Sequence, residues 1–291
     1  MIRIMSSIKF FIFLAFVSSV LIPISALSVY AQQTLTLQVH PYLPASELLN
    51  RFAPLTEYLS AKTSIKIICN ISKDYQDHID KIGNNEVDIA YLGPASYIKV
   101  TETYGLKPIL VRLEINGTPS FRGVIVTRKS SAITTLKDLT GKRFAFGDPN
   151  STMSHLVPLF MLYEDGINKS NLAGYEFLDS HHNVALGVLV GDFDAGAVKE
   201  EVFYKYKDRG LKDLQWTPNI SEHIFVARSS LPKKTINELM NALLSLRNEP
   251  DSKSIMSSIK NNMTAMVPAK DEDYKNLRNI LNTVESTELN Q

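Results

Sequence analysis

Arg143-Phe144-Ala145-Phe146-Gly147-Asp148-Pro149-Asn150-Ser151-Thr152-Met153-Ser154-His155 is the stretch on which the fold turns. It begins as a short apolar strand, passes through turn-forming residues, and runs into Leu156, Leu159, Phe160 and Tyr163, spaced as the apolar face of a helix. A strand that leads directly into a helix is the unit of a layered α/β protein. A helix starting here leaves N–H groups without intrahelical partners, next to the hydroxyls of Ser151, Thr152 and Ser154. With the positive end of the helix dipole, those groups form a socket for an anion that needs no Lys or Arg. The same residues also suit plain capping, in which a hydroxyl closes the N–H groups and nothing binds. A Walker loop does not fit, because Gly141-Lys142 precedes the strand and lacks the earlier glycine.

Upstream, strand-like runs fall at residues 35–39, 65–69, 87–92 and 108–113, separated by helix-like segments such as 45–60 and 94–103. A second alternating set has strands at 124–127, 143–146, 175–178 and 194–198, with helices near 153–163, 184–190 and 200–206. Two α/β lobes, each a mainly parallel sheet covered by helices, are the economical reading. The polar segment 114–122 makes one crossing between them and a strand at 223–227 carries the chain back. The expected boundaries are 32–115 for the first part of lobe one, 116–222 for lobe two, and 223–291 for the return. The last third reads as purely helical, at 234–246, 252–259 and 271–284, packed on the first lobe. Two crossings make a hinge, and ligands of open α/β sheets sit beyond the carboxyl ends of the strands.

At the N-terminus, Arg3 and Lys9 precede an apolar run from Phe10 to Ile22, and Val29-Tyr30-Ala31 presents small residues at the positions a signal peptidase reads. Residues 1–31 are therefore expected to be a signal peptide cut after Ala31, the alternative being a retained anchor helix; both place the rest outside the cytoplasm. That segment takes two of the 31 basic residues and none of the 30 acidic ones, so the exported domain is close to neutral. No basic field invites nucleic acid. Cys69, the single cysteine, sits in an apolar run and reads as a reduced, buried strand residue.

Tyr91-Leu92-Gly93-Pro94-Ala95-Ser96-Tyr97 forms a second strand-to-helix corner, with Pro94 at the first helical position. Its N–H groups, Ser96 and the phenols of Tyr91 and Tyr97 could meet the same anion from the other lobe, or the rings could be core. Tyr42, in Pro41-Tyr42-Leu43-Pro44, is an aromatic at the cleft mouth or part of a rigid turn. Glu200 and Glu201 follow a strand, where an acid can recognise a cationic tail or simply favour a helix start. His155, His181 and His182 do not make a metal set: adjacent histidines rarely turn to one ion and no partner completes it. Neither a metal nor a cofactor is expected.

Four stretches give the chain its resemblance to the substrate-binding proteins of phosphate, phosphite and phosphonate ABC transporters. They are residues 39–44, 88–97, 138–152 and 192–198, which run through most of residues 35–230. The resemblance implies a two-lobed, closing fold of the type II periplasmic-binding-protein kind, with no catalysis. It implies an oxyanion held by the helix start at Ser151 and Thr152, by a following histidine, taken as His155, and by Tyr42, Tyr91 and Tyr97. The chain departs from the family pattern at Met153 and Ser154, where Ser and Gly are expected. It departs again at His182, where an acid is expected after the first His of Ser180-His181-His182-Asn183. If that acid reads an amino group, His182 disfavours aminoalkyl phosphonates and leaves simpler anions.

The expected function is extracytoplasmic capture of a small oxyanion by a monomer that delivers it to an ABC permease. A sensing role toward a membrane kinase keeps the same fold. A serine hydrolase using Ser151 with His155, four residues apart on one helix face, is the remote alternative; it lacks the Gly-x-Ser-x-Gly elbow and an acid to orient the histidine.

Overall fold

The computed structural model describes residues 34–289, so the expected signal peptide lies outside the described residues. In chain order the elements are β1 (Thr34–Val39), α1 (Ala45–Thr63), β2 (Lys66–Ile71), α2 (Tyr75–Gly83), β3 (Ile89–Leu92), α3 (Pro94–Tyr104), β4 (Ile109–Ile115), β5 (Ser120–Phe121) and β6 (Gly123–Arg128). Then come β7 (Arg143–Phe146), α4 (Val157–Glu164), β8 (Gly174–Phe177), α5 (His181–Val190), β9 (Ala195–Lys199), α6 (Glu200–Lys207), β10 (Leu211–Trp216) and β11 (Ile220–Ser221). The chain ends with β12 (Ile224–Ala227), α7 (Lys233–Ser245), α8 (Ser252–Ile259), β13 (Met263–Val267) and α9 (Lys275–Leu289).

The strands form two sheets, ordered β13-β4-β12-β3-β1-β2 and β10-β6-β9-β7-β8. Both are mixed, which corrects the expectation of mainly parallel sheets, and the cause is the crossing itself. In the first sheet β1 pairs in parallel with β2 and β3, but β12, returning from the other lobe, inserts between β3 and β4 and is antiparallel to both. In the second, β7 pairs in parallel with β8 and β9, while β6, arriving from the first lobe, is antiparallel to β9. Between the lobes β5 and β11 pair as a two-stranded antiparallel ribbon, Ile220 opposite Phe121.

Each sheet is buried on both faces, as strands fed by crossover helices require. In the first, Leu37, Val39 and Tyr91 pack with Phe52 and Leu55 of α1 on one side, and Ala90 and Leu92 with Tyr97 and Ile98 of α3 on the other. In the second, Phe144 and Phe146 meet Leu159 and Leu162 of α4, while Val124, Val126 and Ala145 meet Val184 and Val188 of α5.

Three further findings correct the sequence reading. The last third is not purely helical, since β13 pairs antiparallel with β4. Its α9 does not serve the first lobe alone: Leu277 and Ile280 pack with Tyr97 and Ile98, whereas Val284 joins Leu159 and Leu162 of the second. Cys69 is only half-buried because β2 is an edge strand, although burial still pushes its thiol up to about 11. Among the described residues no helix is long and apolar enough to cross a membrane.

Candidate functional site

A small cavity of about 20 Å³ lies where the two sheets face each other. Its lining follows the strand order, because each parallel strand delivers a residue just past its carboxyl end. After β1 come His40 and Tyr42, after β2 Tyr75 at the start of α2, and after β3 Gly93. From the second lobe come Ser151, Thr152 and Met153 after β7, His181 after β8, and Lys199 closing β9. Phe121 of β5 and His223 just before β12 complete the wall from the crossings.

The chain between β7 and α4 enters its helix through a widened turn, Thr152–Leu156, in which the N–H of Leu156 reaches the carbonyl of Ser151, five residues back. Pro158 has no N–H to offer the carbonyl of Ser154, and that carbonyl instead accepts from the N–H of Gly147 at 3.0 Å. Gly147 must be glycine for this contact, since a Cβ there would meet the Ser154 side chain at 2.6 Å. Ser151 caps the turn by accepting from the Ser154 N–H at 3.2 Å. Capping is therefore real, but it is partial: among the described residues the N–H groups of Thr152 and Met153 have no protein acceptor.

Thr152 works across the lobes. Its hydroxyl oxygen accepts from the N–H of Ala95 at 3.0 Å, capping α3 of the first lobe and leaving its own O–H free to donate. Two more groups meet at the same seam: the Tyr75 phenol lies near Ser151, and the N–H of Tyr75 faces the Asp148 carboxylate. Burial, with Asp179 and Asp74 nearby, raises Asp148 to about 6.

The second lobe also fixes a tautomer and supplies a charge. The backbone N–H of Lys199 donates to Nδ1 of His181 at 3.1 Å, so Nε2 carries the proton of the neutral ring. Lys199 is buried with its ammonium 4.1 Å from the centre of the Tyr42 ring and 2.9 Å from Glu201. Desolvation lowers Lys199 to about 8 against the pull of Glu201. Burial would raise Glu201, but Lys199 and then Arg51, at 2.9 Å from the other lobe, outweigh it and hold the carboxylate low.

The first lobe contributes rings. His40 is buried, neither of its ring nitrogens has a protein partner, and Tyr42, Tyr75, Tyr91 and His223 surround it at 4.6 to 5.6 Å between centroids. Burial drives it well below the usual imidazole value, with His223 and His78 adding to the effect. Behind it Gln38 donates to Ser72, Ser72 meets Nδ1 of His78, and Nε2 of His78 donates to the carbonyl of Tyr91. His223 donates from Nδ1 to Glu222 at 2.8 Å.

Of the residues expected at the ligand, Tyr42, Ser151 and Thr152 line this cavity together. Tyr91 stacks on His223 at 5.2 Å and 12° as a second layer, and Ser96 is buried in the first turn of α3 without a partner. The others lie elsewhere. Ser154 turns away and donates to the carbonyl of Ala197, and Tyr97 donates to Asp271 at 2.9 Å within the packing under α9. His155 bonds the carbonyl of Pro149 and lies edge-on to Phe146 and Phe177, outside the lining of this cavity, and no Ser151–His155 hydrogen bond forms among the described residues. His182 bonds the Tyr206 hydroxyl and Glu200 pairs with Arg122, both on a separate, larger cavity.

Of the residues lining this cavity, His40, Tyr75, His223 and Lys199 are not singled out by the sequence reading, and His181 is weighed there only for a metal set. The rule that each strand hands over a residue at its carboxyl end would have found His40, His181 and Lys199.

A model of the phosphonate ABC transporter periplasmic substrate-binding protein family matches residues 37–274. The chain belongs to that family. Its members bind a substrate for transport and are not enzymes. The phosphate-import protein of Mycolicibacterium smegmatis is 28% identical to it over 279 residues, 85% of each chain. The phosphonates-binding periplasmic protein of Escherichia coli is 26% identical over 223 residues, 72% of this chain and 65% of the relative. In fold it is similar to the PhnD1 protein of Prochlorococcus marinus, solved in complex with methylphosphonate, with a TM-score of 0.80, 22% identity, and coverage of 87% and 99%.

Proposed function

We propose that this family member captures a compact oxyanion of the phosphonate, phosphite or phosphate class in the small cavity between its lobes. The observation that carries the reading is the make-up of the second-lobe wall. It offers the unpaired amides of Thr152 and Met153, the hydroxyls of Ser151 and Thr152, the Nε2–H of His181 and the Lys199 ammonium. All are donors, and apart from Lys199, which is shared with Glu201, they face the cavity as groups that can hold an oxyanion by charge-assisted hydrogen bonds. The names of the relatives point to the same ligand class: phosphate import in one, phosphonate binding in another.

Domains 32–115 with 223–291 and 116–222 move about the β5 and β11 ribbon, and the Thr152–Ala95 and Asp148–Tyr75 contacts mark the closed form. The protein acts outside the cytoplasm as a monomer, after cleavage behind Ala31, and hands its ligand to an ABC permease. Calorimetric titration with phosphate, phosphite, methylphosphonate and sulfate tests the ligand class. Heat and saturation with one of the phosphorus oxyanions is the expected result, and no binding of any of them would sink the reading.

A further inference from the structure

Lys199 borders two spaces. The inner one is the small cavity; on its other side opens a chamber of about 620 Å³, and only Phe121 and Lys199 line both. An organic tail that reached from an oxyanion in the inner cavity toward this chamber would run beside these two side chains. The outer chamber carries three carboxylates, and each already has a cation. Glu200 accepts twice from Arg122, Glu201 lies 2.9 Å from both Lys199 and Arg51, and Glu222 holds Lys260 and the Nδ1–H of His223. Lys205 adds a further positive charge to the wall.

An ammonium group one or two carbons from the bound head would therefore sit beside the Lys199 ammonium and find no unclaimed carboxylate. A neutral methyl group meets no such penalty, and an acidic tail meets an attractive one.

We propose that Lys199 is the specificity residue of this site, the charge that admits oxyanions with no tail or with a neutral or acidic tail and refuses those with a cationic tail. The inference rests on the oxyanion reading and adds to it the class of ligand that is excluded. Selectivity here comes from a repulsive element, which can discriminate where attraction alone does not.

The test compares methylphosphonate with 2-aminoethylphosphonate by calorimetry on the purified protein and on Lys199→Gln, Lys199→Glu and Lys199→Arg. The wild type is expected to favour methylphosphonate by roughly a hundredfold, as a like-charge contact in a partly desolvated site implies. Lys199→Gln should shrink that ratio about tenfold or more, Lys199→Glu should carry it further in the same direction, and Lys199→Arg should keep it. Equal binding of the two probes by the wild type overturns the proposal. So does a loss of both affinities in the Gln and Glu variants that leaves their ratio unmoved, the mark of a residue that holds the oxyanion head without reading the tail. If Lys199→Glu fails to fold, as a thermal melt would reveal, the wild-type preference and the Gln variant decide. Binding of neither probe, with phosphate and phosphite also inert, brings down the oxyanion reading and this inference with it; binding of methylphosphonate with an unmoved ratio brings down the inference alone.

Discussion

The two walls of the inner cavity are made of different chemistry. The first lobe presents rings, His40, Tyr42 and Tyr75, backed by a fixed hydrogen-bond chain through Gln38, Ser72 and His78. The second presents donors and a charge, Ser151, Thr152, His181 and Lys199. Rings on a packed sheet define shape at little entropic cost, while a helix start and a strand end bring polar groups to one point. The contrast teaches that charge recognition belongs to the second lobe and fit to the first. The strongest way to break it is the Ser151→Ala/Thr152→Ala double variant. It should weaken methylphosphonate binding by about 2–5 kcal/mol, each hydroxyl contributing about 1–3 kcal/mol toward a charged ligand. Tyr75→Phe, on the ring wall, should cost less than about 1 kcal/mol. Calorimetry showing the reverse order would move recognition to the first lobe.

The buried histidines in and behind the two walls make a different prediction, about stability. His40, His78 and His181 are buried, and burial lowers each well below 6.5, His78 to about 3. Between the folded and the unfolded values the unfolded chain binds more protons, so the contribution of these rings is present above about 6.5 and drains away as pH falls below it. Denaturant unfolding of the ligand-free protein should show a loss of about 2 kcal/mol or more between pH 7.5 and pH 5. A flat profile would mean that the rings take up protons in the folded state and are not the neutral wall described here.

Asp148 runs in the opposite sense and allows the seam between the walls to be tested separately. Its carboxyl is raised to about 6, chiefly by desolvation, so the folded protein binds more protons than the unfolded chain between about 4 and 6. The group stabilises the fold below that window and loses its contribution as pH rises through 6. Asp148→Asn keeps an oxygen for the N–H groups of Asn150 and Tyr75 but removes the charge. It should raise stability at pH 7 by about 1 kcal/mol and change it little at pH 4. Lower stability at pH 7 would show the carboxylate to be a needed anion at the start of α2.

How much of this was legible in the sequence depends on what each residue's neighbours supply. Strand-to-helix corners could be read because apolar period and turn residues are local, and with them came Ser151, Thr152 and Tyr42. Edge strands were uneven: β2 and β8 show apolar runs, whereas in β10 Lys212 and Asp213 interrupt the pattern and β13 is a short run of Met, Thr, Ala and Val beside α8. His155 and His181 are placed differently for another reason. Closeness in sequence put His155 beside Ser151, but the widened turn and Pro158 rotate it against Phe146 and Phe177. His181 reaches the cavity through sheet order, because β8 lies next to β7. Lys199 is not legible in the sequence because a buried lysine depends on a partner, and nothing local shows that Glu201, read as a cleft acid or a favourable helix start, turns back to it.

The smallest effect tests where the inner cavity stops. Glu200 lies on the outer chamber, more than a third of its side chain is open together with that of Arg122, and pairs of that kind contribute little. If the ligand head is confined to the inner cavity, Glu200→Gln removes a charge that the head never meets. The affinity for methylphosphonate should then change by less than about 0.5 kcal/mol, and at raised salt by less still, because an exposed charge acts at a distance only through screened solvent. A tenfold change, about 1.4 kcal/mol, would require the carboxylate or the Arg122 it restrains to lie against the ligand. The head would then have to occupy the larger space, and the division into a ring wall and a donor wall would no longer describe the site.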